Sequence, residues 1–209
     1  MNNEVREQIM NENNNAQNIF IGLLNRISST TIEEIQVNDI LHGDLDLSVL
    51  EDRGFKNVKT IIINKPGEVT NIFNVPDSVI KLTCENQMLI DIDKIPITIE
   101  ELNVSDNKIS KFDGKSFTKL QILNLSNNEL TELTNLPESL ETLECENNQL
   151  RELDLATTPN LKELICSNNP ILILQHVPSS LTKIEMENNP FVNIDNSEEK
   201  DGDEKKSKK

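Results

Sequence analysis

The chain has 209 residues, a formal net charge of −16 and neither tryptophan nor tyrosine. That length suits one domain and its ends, and acidity spread along the whole chain argues against a surface that grips nucleic acid. No apolar run approaches the roughly 18 residues of a membrane span, and Met1-Asn-Asn-Glu4-Val-Arg-Glu7 lacks the apolar stretch of a secretory leader, so the expectation is a cytoplasmic protein, not a secreted one.

In chain order, Ile19, Phe20, Leu23, Leu24 and Ile27 share one face at helical spacing. This predicts a helix that caps the following domain, with a partner-docking helix as the other reading. Ile32…Ile35-Gln-Val37 and Val58…Ile61-Ile-Ile63 then read as strands, although Val69 and Ile72 follow the second one residue late. Val79…Leu82-Thr-Cys84…Gln87-Met-Leu89 begins a stricter pattern.

From there an asparagine returns at near-constant interval, as Asn107, Asn128, Asn148, Asn169 and Asn189. Each carries the apolar frame L-x-x-L-x-L/C-x-x-N-x-L, for example Leu140…Leu143-Glu-Cys145…Asn148-Gln-Leu150. In the x-L-x-L-x stretch alternate residues face opposite sides, so Leu123 and Leu125 point inward while Ile122, Asn124 and Ser126 point out. One such unit cannot bury its apolar face alone, and stacked units join into a solenoid with a parallel sheet. The asparagine, which carries two donors and an acceptor, is suited to satisfying the turn that follows the strand. Asn148→Leu is therefore expected to destabilise and Asn147→Leu to be nearly neutral.

Pro76, Pro96, Pro137 and Pro178 each stand six residues before a strand residue of this frame, which suits an extended, polyproline-like convex return. The units around Lys115-Ser-Phe117 and Thr157-Thr-Pro159 lack that proline, are one residue longer, and are expected to hold a short helical turn. Cys84, Cys145 and Cys166 occupy inward positions, and an odd number of thiols filling leucine slots does not describe a disulfide framework. Residues 195–209 hold no apolar side chain and are expected to be a disordered charged tail; Lys205, Lys206, Lys208 and Lys209 read as a solvated run before a localisation patch.

Catalytic signals are missing. His42 and His176 are far apart, no glycine-rich phosphate loop occurs, and Asp201-Gly-Asp203 lacks the rest of a calcium loop. No enzyme, metal or cofactor is expected. A solenoid of this kind offers its concave sheet to a partner. The outward residues Glu85, Asn103, Asp106, Ile122, Asn124, Asn127, Glu144, Glu146, Ile165, Glu185 and Glu187 are the candidate partner-binding set. Their acidic and amide character points to a protein partner, basic by charge complementarity.

The frame, above all Leu136-Pro-Glu-Ser-Leu140-Glu-Thr-Leu143-Glu-Cys145-Glu-Asn-Asn148, resembles the short leucine-rich repeats of bacterial effectors and of large DNA virus and protist proteins. That resemblance implies an α/β leucine-rich repeat solenoid with a parallel concave sheet, an extended or short-turn convex side and a helical N-terminal cap. The expected divisions are 1–57 as cap with a degenerate repeat, 58–194 as solenoid and 195–209 as tail. The expected role is a non-enzymatic protein–protein interaction module, monomeric unless part of an assembly. The alternative is a structural subunit that uses its edges and N-terminal helix.

Overall fold

A computed structural model describes residues 15–190 and 193–195. Its first element, α1 (Asn15–Leu24), starts four residues ahead of the expected apolar face. Ala16, Phe20 and Leu24, four apart and so on one helix face, are buried, with Ile19, Leu23 and Ile27 packed beside them. The Gln17 side-chain oxygen accepts the Asp46 backbone N–H at 2.7 Å, fixing the helix over the first turn of the solenoid.

Two series of parallel strands follow. The longer one contains β1 (Glu34–Val37), β3 (Thr60–Ile63), β5 (Lys81–Cys84), β6 (Glu101–Asn103), β8 (Ile122–Asn124), β10 (Thr142–Glu144), β12 (Glu163–Ile165) and β14 (Lys183–Glu185), hydrogen-bonded in that order as an eight-stranded sheet. Leu82, Leu102, Leu123, Leu143, Leu164 and Ile184 stand in register across it. All but the last are buried. One inward row thus runs from strand to strand, and each repeat is covered by the next.

The opposite side departs from the polyproline expectation. β2 (His42–Asp46) pairs with β4 (Glu68–Phe73), β7 (Lys111–Asp113) with β9 (Glu132–Thr134), and β11 (Glu152–Asp154) with β13 (Ile173–Gln175), which pairs in turn with β15 (Asn193–Asp195), all parallel. Phe112, Leu133, Leu153 and Leu174 are their inward residues. Pro76, Pro137 and Pro178 come after these strands, Pro96 in a repeat without one, and all four open turns: their carbonyls accept the N–H three residues on. In the longer units Phe117 and Thr158 supply the same carbonyl. Of the two expected helical turns, one is present as a 3₁₀ turn at Gly114–Ser116, and the other is a plain turn.

The one-residue delay at Val69 has a local cause. Between Gly43↔Val69 and Leu45↔Ile72 the register of β2 and β4 shifts, so two residues oppose Asp44. The Asp44 carboxylate accepts from both, Thr70 Oγ1 and Asn71 Nδ2, each at 2.7 Å. A single helical turn, α2 (Val49–Asp52), buries Leu50 beside it.

The three cysteines are buried free thiols. Burial raises all of them, Cys166 to about 11, which keeps them protonated and unreactive. At the C-terminal end the covering stops among the described residues. Ile184 and Ile194, inward positions by register, are 41% and 54% exposed. The tail expected at 195–209 lies, apart from Asp195, outside the described residues.

Candidate functional site

The turn after each main strand is built by two adjacent residues with different tasks. The second is the ladder amide. Asn148 donates Nδ2 to the carbonyls of Leu125 and Cys145 at 3.0 and 3.1 Å, and its Oδ1 accepts the Leu130 N–H at 2.9 Å. Asn107, Asn128 and Asn169 repeat this pattern, and all four are nearly fully buried. Gln87 takes the place of asparagine with a longer reach, donating to Lys65 O and accepting from Val69 N.

The first residue of each pair has positive φ. Asn86, Asp106, Asn127, Asn147, Asn168 and Asn188 lie between 54° and 57°, a left-handed conformation that asparagine and aspartate tolerate best after glycine. The amide of each of the first five bonds forward to a carbonyl of the next repeat, as Asn147 N does to Ser167 O at 3.0 Å. This overturns the expectation that Asn147 is a neutral surface position. Asp106 and Asn127, two of the candidate binding residues, belong to this row: exposed, but fixed by backbone demands.

Turned tightly after the strand, the chain also carries Ser105, Ser126 and Ser167 inward, where they are buried. The outward assignment of Ser126 is thus corrected. Of the glutamates at the equivalent position, Glu85 and Glu187 are exposed and Glu146 is half-buried.

The remaining candidates lie on the sheet in two columns. Asn103, Asn124, Glu144, Ile165 and Glu185 stand in register in one. Ile122 stands in the other, with Lys81, Glu101, Thr142, Glu163 and Lys183. Those five partners of Ile122 were not among the candidates. The alternation that turns Ile122 outward turns them outward too, and that signal was present in the sequence.

Several charges here are already engaged. Asn103 donates to Glu85 at 2.6 Å and Asn124 to Glu144 at 2.7 Å, while the oxygens of both asparagines accept the Ser105 and Ser126 amides. Lys81 and Glu101 are 2.5 Å apart. Lys81, Thr83, Glu101, Asn103, Ile122, Asn124 and Glu144 line an open depression of about 200 Å³.

Toward the C-terminal end carboxylates dominate. Partial burial of Glu144 raises its carboxyl, and Glu146, Glu163 and Glu185 add to the rise against the opposing charge of Lys183. Lys183, hydrogen-bonded to Glu185 at 3.2 Å, is itself raised by that contact. The face therefore carries concentrated negative charge with one lysine as local counter-charge. Among the described residues, no three His, Cys, Asp or Glu side chains converge as a metal set.

A second polar ladder lies on the far side. Asn74 donates to Asp46 at 3.0 Å, Asn135 donates to Asp113 at 3.0 Å, and His176 Nδ1 lies 2.8 Å from Asp154. Asn74, Asn135 and His176 all have positive φ. Burial works against the charge on Asp46, yet bonds from the Ser48 amide and Asn74 outweigh it and hold that carboxyl below its ordinary value.

Comparison with known proteins agrees with this architecture. The family model described as leucine-rich repeats, two copies, matches residues 97–138. The repeats resemble those of leucine-rich repeat proteins. It superimposes on YopM, a leucine-rich effector protein from Yersinia pestis, with a TM-score of 0.70 and 26% identity over 86% of this chain and 49% of that one. For YopM from Yersinia enterocolitica WA-314 the values are 0.60 and 27% over 69% and 32%. An internalin from Listeria monocytogenes, 16% identical with a TM-score of 0.57 over 78% of this chain and 50% of that one, shares the fold alone. The chain thus spans a third to a half of the length of these structures. No curated protein matches it significantly.

Proposed function

We propose that this repeat protein is a non-enzymatic interaction module whose eight-stranded concave face binds a basic protein segment inside the cell. Proteins of this fold commonly serve as interaction surfaces. The observation that carries the finer reading is the carboxylate group around Glu144, on which Glu146, Glu163 and Glu185 all bear, with Lys183 as the nearby counter-charge. Like charges gathered on one surface cost free energy, which an incoming cationic segment relieves. The depression beside Ile122 offers such a segment a modest apolar foothold. Three buried thiols in leucine slots fit an intracellular setting.

The test is affinity purification from native cells, comparing the natural chain with a variant in which Glu144, Glu146, Glu185 and Glu187 are all changed to lysine. Loss of a defined set of basic partners, with circular dichroism unchanged and with capture weakening as salt rises, supports the reading. An unaltered partner set removes the concave face from consideration. A second reading, a subunit held in an assembly through its edge, is favoured by the exposure of Ile184 and Ile194.

A further inference from the structure

The C-terminal edge, uncovered among the described residues, has a pattern of its own. Within β14, Lys183 N donates back to Lys162 O, and Glu185 O accepts from Cys166 N. Backbone groups alternate in direction along a strand, so the N–H and C=O of Ile184, lying between these two residues, face the open edge. The Ile184 side chain points inward, where a further repeat would cover it, yet is 41% exposed. On the concave side Lys183 and Glu185 flank it, opposite in charge and two residues apart. A strand edge with free hydrogen-bonding groups is a template for another strand.

We propose that the chain pairs with a second copy of itself through β14, antiparallel about a twofold axis at Ile184. A twofold contact demands a self-complementary surface, and Lys-Ile-Glu is one. The axis places Lys183 against the Glu185 of the second copy and Glu185 against its Lys183. Ile184 exchanges both backbone bonds with its counterpart, so the flanking ion pairs occupy the sites between ladder bonds, where facing side chains come closest. The two inward isoleucines cover each other and continue the apolar row across the axis. A charged edge repels a copy when all its charges have one sign; here the alternation selects one register. The pairing also joins two concave faces into one continuous surface and brings the two acidic clusters next to each other.

Sedimentation equilibrium of the full chain tests this. Natural protein is expected to reach twice the 23.7 kDa chain mass as concentration rises. K183E alone and E185K alone each set like charges opposite one another and should weaken association at least about tenfold. Mixed in equal amounts, the two variants complement each other at both positions and should form a mixed dimer; the double swap K183E/E185K should restore pairing within one sequence. I184D should abolish it with an unchanged circular dichroism spectrum, since this side chain is already open to solvent. A natural chain that stays monomeric at all concentrations, a dimer indifferent to the reversals, or a mixture that remains monomeric overturns the proposal.

Discussion

Residues 15–98 and 99–190 build the same sheet by different means. In the second part every turn is closed by a ladder asparagine, buried in all but the last, and a left-handed neighbour, at nearly constant spacing. In the first part Gln87 does the work of asparagine, a bulge at Asp44 absorbs an extra residue, and Pro66 stands at the ladder position of its strand. There the chain relies on Gly67: a Cβ at that position would lie 2.5 Å from Leu41 O and 2.7 Å from Gln87 Oε1. The difference teaches that a repeat is defined by the backbone groups it must satisfy. Where a side-chain amide of the right length is missing, close backbone approach takes its place.

The largest expected effect is in the regular part. Asn148→Leu strands the Leu130 N–H and removes one of two donors from the carbonyls of Leu125, Cys145 and Glu146, which keep Asn128, Asn169 and the Asn127 amide. At roughly 1–3 kcal/mol for the one buried N–H left without a partner, plus about 1 kcal/mol for the lost carbonyl bonds together, the total should be about 2–4 kcal/mol. For a chain of this size thermal unfolding should then begin about 4–12 °C lower. Gly67→Ala probes the irregular part, where the close backbone leaves little room to relax, and should cost about 1–3 kcal/mol by denaturant titration. If it costs nothing, the first part is looser than its contacts indicate, and the contrast between the two regions fails.

Smaller effects sharpen the division of labour inside one turn. Asn147→Leu should lose about 1–2 kcal/mol because a branched side chain meets the carbonyl at positive φ, while Asn147→Gly should lose less. Equal thermal shifts for Asn147→Leu and Asn148→Leu would contradict the register. The smallest effect is a matter of pH. The carboxyl of Glu144 is raised in the folded state, so folding takes up protons and stability falls as pH climbs through and above the ordinary carboxylate range. Glu144→Gln keeps an acceptor for Asn124 and removes the titration. At pH 7 it should melt slightly above the natural protein, an advantage that disappears below the ordinary carboxylate range.

Much of this was legible in the residues. The strand spacing, the ladder amides, Gln87 as a substitute, and the inward cysteines follow from a frame repeated with little variation. The second strand series was not legible, because stretches such as Lys111-Phe-Asp113 and Glu132-Leu-Thr134 are too short to show a period of two. Adjacent asparagines were read as one useful residue and one idle one, since nothing in Asn147-Asn148 announces a left-handed backbone. Ser126 looked outward by alternation, and the tight turn carries it under. At the candidate site alternation was applied on one side of each inward leucine and not consistently on the other, which left out Glu163 and Lys183.

The direction of the asparagine bonds carries a temporal consequence. Each ladder side chain reaches back: Asn128 receives the Ile109 N–H and donates to Val104 O, so it completes the turn of the repeat made before it. A repeat emerging during synthesis leaves its own turn open until its successor docks. Growth by such a rule proceeds from the amino end, with α1 as the starting template, and unwinding runs in reverse. In hydrogen exchange, amide protection should then decline stepwise from Leu89 and Ile109 toward Ile171, whose acceptor Asn189 is the last rung of the ladder and only partly buried.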